Sequence, residues 1–292
     1  MVAKGTYSIF IDGQFICKSN NIITSQGKNS ILRFMAGVSN SFAGAIGAGI
    51  SDTTPGVDDT ELGYEILREP ISIRSVDYTS NDILFKAEFP TGTRMVIYEI
   101  GLYPDSDGAR SRILFHFDDS EDWSNVTDRN LSDIRIGSSG ISANALSGGS
   151  QTYTLANSAL DFVDMLPPDL FSLAIVSPDN NCESITVTFT DYTGNTTDGV
   201  FTPIADTAYQ IIEVQKQNFS VQTVSWERIT QIDIVVQAVG GEDTLIVLDG
   251  LRTVDSSVMS GSEIVSKTTL GDPVVKEAEQ TLDIQYSLGI PL

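Results

Sequence analysis

The chain has 292 residues, 41% of them hydrophobic and 19% charged, which supplies apolar material for two ordinary cores and excludes a disordered chain. Seventeen basic residues stand against 39 acidic ones, and the resulting net charge of -22 repels phosphate backbones, so nucleic acid is excluded as an expected partner. Cys17 and Cys182 lack metal-ligand spacing, no apolar run is long enough to cross a bilayer, and Met1-Val-Ala-Lys-Gly-Thr6 has no signal-peptide core; a soluble chain made in the cytosol, with no membrane partner and free thiols, is expected.

Along the chain, period-two alternation dominates. Ser8–Ile11 and Gln14–Cys17 flank Asp12-Gly13, a pair suited to the positive φ values of a two-residue turn, which predicts a hairpin. One short helix is predicted after Ser25 as N-cap, with Ile31, Leu32 and Met35 on one face and Gly37 ending it; it is expected to plug an open end of a sandwich. The small-residue stretch 43–50 predicts a strand closely approached by another backbone, and 51–63 a loop rich in Asp, Thr and Pro. Strands are predicted over 71–78, 83–89 and 95–103, before a polar loop at 104–110. The last thirty residues alternate over 263–270 and 280–288 around a turn at Asp272-Pro273. Two such strands cannot fold alone, so they are expected to complete the sheet begun at residue 1. The chain is therefore read as one discontinuous domain, 1–110 and 256–292, interrupted by an inserted domain, 111–255.

The flanking segments carry a resemblance. A leading hairpin, a helix like Gly27-Lys-Asn-Ser-Ile-Leu-Arg-Phe-Met-Ala-Gly37, a small-residue strand, Asp58-Asp-Thr-Glu-Leu-Gly-Tyr-Glu65 and Tyr98-Glu-Ile-Gly-Leu-Tyr103 together resemble a β-sandwich module of tailed-phage virion proteins found in fibre, collar and decoration subunits. In that family the Glu-Ile-Gly-Leu strand is followed closely by a closing pair similar to Ile264–Leu270 and Lys276–Leu288; here about 150 residues intervene, in accord with an insertion. The resemblance implies a bacteriophage structural protein located in the virion, assembled with other virion proteins and as a homo-oligomer, with a trimer expected.

The insert is the more acidic part: residues 112–255 hold 21 acidic and 6 basic residues, a net of -15. It opens with Ile113-Leu-Phe-His-Phe-Asp-Asp119 and Trp123, and closes with strand patterns over 229–237 and 244–251; further strands are predicted over 170–176, 184–190 and 209–214. Many short strands with polar turns indicate a jelly roll, so the whole is read as all-β: a discontinuous β-sandwich with one short helix carrying an inserted jelly-roll sandwich. Phe-Asp-Asp followed by Trp, paired with a terminal Leu-Asp-Gly-Leu strand, resembles galactose-binding-like and related carbohydrate-binding jelly rolls. There, acids on the first and last strands often share a structural calcium, and the resemblance implies Asp118, Asp119 and Asp249 as its ligands here; solvated strand ends are the competing reading.

Glycan binding needs aromatic platforms beside hydrogen-bonding groups, and Trp123, Tyr192 and Trp226 are the candidates, each weighed against a core role. Tyr192 in Asp191-Tyr-Thr-Gly-Asn195 is expected at a loop tip. Bacterial surface glycans are the ligand class, and a stand-alone carbohydrate-binding adhesin module is the alternative to a virion subunit. No catalytic motif accompanies His116, the only histidine, so it is read as structural and the chain as no enzyme. Gly44, Gly47 and Gly49 precede no helix and form no nucleotide loop.

Overall fold

A computed structural model describes residues 4–105, 111–118, 121–204, 208–220, 223–255 and 263–289. The architecture is all-β, with sheets layered as sandwiches, and the chain divides into two compact units: Met1–Ala109 with Val258–Leu292, and Arg110–Ser257.

The first unit contains strands β1 (Lys4–Ile11), β2 (Gln14–Asn20), β3 (Ile22–Ile23), β4 (Ala45–Gly49), β5 (Glu65–Pro70), β6 (Ile73–Asp77), β7 (Asp82–Phe89) and β8 (Met95–Tyr103), helix α1 (Ser25–Met35), and late in the chain β19 (Ser266–Lys276) and β20 (Leu282–Gly289). Its sheets have the orders β2-β1-β20-β7-β6 and β3-β19-β8-β4-β5. The β1–β2 turn places Asp12 at φ 49° and Gly13 at φ 77°, both in the left-handed region that an Asp-Gly pair tolerates. The two late strands enter the interior of the sheets, not their edges. β20 lies between β1 and β7, pairing with both over its full length, and β19 joins β8 to β3. Period-two burial explains this: Leu282, Ile284, Tyr286 and Leu288 all face the core, where Tyr286 meets Tyr7, whose hydroxyl lies 2.7 Å from Ser266 Oγ on the other sheet.

Three expectations are corrected: the turn at Asp272-Pro273, the helix as a plug and Ser25 as its N-cap. Asp272-Pro273 is no turn: β19 runs through it with a register shift between Thr269 and Val274, a bulge that accommodates a proline without a ladder donor, and the reversal comes at 277–281. The helix does not plug the sandwich. Its N-cap is Thr24, whose Oγ1 accepts from Gly27 N at 2.9 Å and donates to the Ile264 carbonyl. The first turn is docked through Gly27, which lets the helix backbone approach the segment leading into β19 so closely that a Cβ there would stand 1.9 Å from the Val265 carbonyl oxygen, and in the last turn the Phe34 ring meets the buried Phe42 ring at 5.3 Å. Leu32, Phe34 and Met35, beyond the first turn, are exposed.

A buried acid locks the 51–64 loop to this sheet. Glu99 on β8 accepts from Ser51 N (3.3 Å), Gly63 N (2.9 Å) and Tyr64 N (2.7 Å), and its carboxylate lies 3.3 Å from Lys267 Nζ on β19. Arg68 stacks on Tyr103 and pairs with Glu65, both of its neighbours being buried.

The second unit contains β9 (Ser111–Phe115), β10 (Asp128–Asn130), β11 (Gly140–Ala145), β12 (Ser150–Leu160), β13 (Leu170–Val176), β14 (Cys182–Asp191), β15 (Thr196–Phe201), β16 (Tyr209–Gln215), β17 (Ile229–Ala238) and β18 (Thr244–Val254). One sheet has the order β10-β11-β18-β13-β16, with β9 also on β18; the other is β12-β17-β14-β15. Between them Phe162, Phe171, Phe189, Phe219 and Trp226 form an aromatic cluster with centroids 5.0 to 6.0 Å apart, offset or edge-on as ring quadrupoles prefer. Gly199 on β15 makes room for it, since a Cβ there would fall 2.3 Å from Phe219 Cζ.

Candidate functional site

In the second unit, β14 ends at Asp191 and the chain turns through Tyr192–Asn195 into β15, with Gly194 at φ 87°. The Asp191 side chain organises this turn. Its Oδ1 accepts from Thr193 N (2.8 Å), Thr193 Oγ1 (2.7 Å) and Asn195 N (3.0 Å), while Oδ2 accepts from Ser225 N (2.8 Å) and Asn195 Nδ2 (3.3 Å). The amide of Ser225, then the Thr193 and Asn195 donors, hold its carboxyl well below the usual carboxylate range. The loop is thus fixed from beneath by a charged acceptor. Above it, Tyr192 is 56% exposed, with its backbone amide tied to the Arg228 carbonyl at 3.2 Å. An exposed aromatic ring on a fixed backbone can offer a flat apolar face to a polar ligand, while the Thr193 hydroxyl and the Asn195 side-chain nitrogen beside it are engaged with Asp191 and with each other.

The two tryptophans are placed differently from Tyr192. Trp123 is buried between Phe115 and Phe117, 5.3 Å from each, and its Nε1 donates to Glu121 at 2.9 Å. Trp226 stacks on Phe171 at 5.9 Å, with Lys216 Nζ 5.0 Å from its ring. The Trp123 ring thus lies in the core, and the partly buried Trp226 ring packs against the core's aromatic cluster.

Of the acids implied as calcium ligands, Asp119 lies outside the described residues. Asp249 is fully buried at a bulge of β18, where it accepts from Arg135 N (2.7 Å), Ile136 N (3.3 Å) and the Tyr209 hydroxyl. Burial pushes its pKa up to about 6 against these hydrogen bonds and the charge of Arg135, whose guanidinium sits 4.0 Å from the Tyr209 ring centroid. Asp118 stands against the Gly137 backbone, on the same 134–137 segment that Asp249 holds. Among the described residues no group of three or more His, Cys, Asp or Glu side chains is arranged to hold a metal ion. The donor set at Asp249 is that of a hydrogen-bond acceptor for a loop, whereas calcium takes six to eight oxygens.

Glu121 plays a similar part at the start of this unit, accepting from His116 N (2.6 Å), Phe117 N (3.0 Å) and the Trp123 indole; burial raises its pKa and lowers that of His116. Sequence reasoning singled out neither Asp191 nor Glu121. Asp191 carried a usable signal, because Asp followed by Thr at i+2 and Asn at i+4 around a glycine is an Asx-turn pattern.

No protein family and no curated protein sequence matches the chain. Among solved structures it is similar to a family 11 carbohydrate-binding module from Clostridium thermocellum in complex with a β-1,3-1,4-mixed-linked tetrasaccharide, at 13% identity and TM-score 0.37, over 50% of this chain and 95% of that one. A family 30 carbohydrate-binding module of the cellulosomal cellulase Cel9D-Cel44B of the same organism matches at 9% identity and TM-score 0.37, over 59% of this chain and 99% of that one. The agarase AgWH50C matches at 16% identity and TM-score 0.37 over 51% of this chain, which spans 25% of the agarase's length. These likenesses assign no ligand to the present chain.

Proposed function

We propose that the chain is a non-catalytic structural subunit of a bacteriophage virion whose first unit serves assembly and whose second unit contacts glycans of the bacterial surface. The observation that carries the glycan role is the Tyr192 loop, in which an exposed ring is preorganised by five hydrogen bonds to Asp191, while Trp123 lies in the core and Trp226 packs against it. Preorganisation matters because a weak polar ligand cannot offset the entropy of ordering a mobile loop. The virion role is supported by the motifs of the first unit. Two of the motifs on which its resemblance rests, 58–65 and 98–103, join loop to sheet: Glu99 accepts from Gly63 and Tyr64, and Glu65 pairs with Arg68, which lies across Tyr103. The test is a glycan array probed with the full chain and with Tyr192→Ala. Binding to a defined glycan set that the substitution abolishes, with unchanged melting, is the expected result; binding that survives it, or silence on every glycan, removes the glycan role.

A further inference from the structure

Helix α1 is amphipathic, but its apolar stripe is left largely exposed, Phe34 reaching the buried Phe42 ring at 5.3 Å from one side of it. Ile31, Phe34, Met35 and Val38 recur at i, i+3, i+4 and i+7, the spacing of a helix face meant to be covered, with Leu32 at the stripe's margin. Yet Leu32 is 62% exposed, Phe34 42%, Met35 75% and Val38 67%. Gly37, at φ 71°, ends the helix and turns Val38 back so that its amide reaches the Arg33 carbonyl at 2.9 Å, which keeps Val38 on the stripe. Beside the helix lies an apolar groove of about 320 Å³, walled by Phe34, Phe42, Val76, Ile83 and Phe85, where the edge strand β6 leaves Val76 half exposed.

The same face therefore carries both a ridge, Leu32 and Met35, and a hollow of a size to receive such side chains. That combination is what association between identical surfaces requires. At roughly 100 Å² for each exposed apolar side chain, the stripe with Val76 presents on the order of 500 Å², well over half of the ~800 Å² that each partner brings to a standard interface. Charge points to the same occupant. From Gly13 to Ser51 the sequence has Lys18, Lys28 and Arg33 but no acidic residue, in a chain of net charge -22. Two strongly acidic molecules repel less where they meet through this acid-free stretch, to which the β6–β7 side of the groove adds Arg74 beside Asp77 and Asp82.

We infer that the exposed face of α1 and the adjoining groove dock a second copy of this chain. This deepens the assembly role proposed above, and its readout, the mass of the full chain in solution, does not depend on glycan binding. The experiment is sedimentation velocity of the full chain at about 1 to 100 µM and at low and high salt, alongside Leu32→Glu/Met35→Glu. A mass of two or more chains, strengthened by salt because salt screens the mutual repulsion of acidic copies, is expected. The double variant is expected to be monomeric throughout, with melting unchanged, since both positions are exposed. A wild-type chain that stays monomeric at 100 µM in high salt overturns the inference, as does association that the double variant retains. Monomeric protein that instead floats with phosphatidylserine vesicles, and loses this with salt, overturns it in favour of a basic apolar membrane contact.

Discussion

The two units solve the problem of chain closure in opposite ways. The second closes on itself: its first strand, β9, pairs with its last, β18, through Ser111 and Val254, so the two ends of the unit are neighbours on one sheet. The first is completed only after the second has been passed, by β19 and β20. There too exit and return are neighbours, for Leu102 at the end of β8 pairs with Ser266 at the start of β19. Each unit thus presents two adjacent chain ends, which is the geometry that lets one domain interrupt another without straining either. Contiguity in sequence and compactness in space are therefore separate properties here.

The sharpest way to break the comparison is to remove the chain from Glu263 onward. The first unit then loses an interior strand from each sheet, leaving hairpins β1–β2 and β6–β7 without the strand that joins them, and it is expected not to fold at all. The second unit is expected to keep its own unfolding transition. Calorimetry with hydrogen exchange checks both, and a surviving protected core in residues 4–105 would contradict the assignment.

A smaller effect contrasts the buried acids of the two units. In Glu99→Ala three amides lose Glu99 as acceptor, while Lys267 keeps Asp59 at 3.2 Å and the Glu61 carbonyl, and a cost of about 3–5 kcal/mol to the first unit is expected, most of it from the desolvated amides. Asp249→Ala leaves two amides and the Tyr209 hydroxyl without their acceptor, for about 2–3 kcal/mol in the second unit, reduced at neutral pH. The reduction follows from sign: a carboxyl whose pKa rises from 3.8 to about 6 on folding contributes most below 3.8, and that contribution fades as pH rises through 6. The cost of Asp249→Ala should accordingly be larger at pH 4 than at pH 7 in denaturant titrations.

Asp191 provides the smallest effect, with the opposite sign. Its pKa is depressed on folding, so its contribution is complete above its unfolded value near 3.8 and is lost as pH falls below it. The gap in melting temperature between the wild type and Asp191→Asn should be constant from pH 7 to 5 and narrow toward pH 3. A gap independent of pH would mean that the loop is held by its shape alone.

What could be read from the sequence was local. Asp12-Gly13 carries its turn in two residues, and 95–103, 170–176 and 209–214 announce strands by apolar content alone. The all-β sandwich class followed from the same patterns. Strands β11, β12 and β15 escaped notice because Ser, Thr, Asn, Gly and Ala dominate them, and their places are set by partners such as β17 and β18 far along the chain. β5 was hidden by its charges, since the burial of Glu65 depends on Arg68 lying across Tyr103. The amphipathic helix was legible as a helix, but periodicity shows only that a face needs a partner and not which surface supplies it. At the candidate site, exposure of Tyr192 could be expected from its glycine-containing turn, whereas the fixing of that turn depends on Ser225, thirty-four residues away.

The pairing of β1 with β20 also has a mechanical consequence. The strands run antiparallel with Lys4 opposite Gly289 and Ile11 opposite Leu282, so Lys4 and Gly289 sit at the same end of the ladder. A tensile load applied between those two residues would open the ladder like a zipper, breaking one rung at a time, instead of shearing all rungs together. Resistance to pulling should therefore depend on where the molecule is held, since only a load that draws Lys4 and Gly289 apart meets this seam one rung at a time.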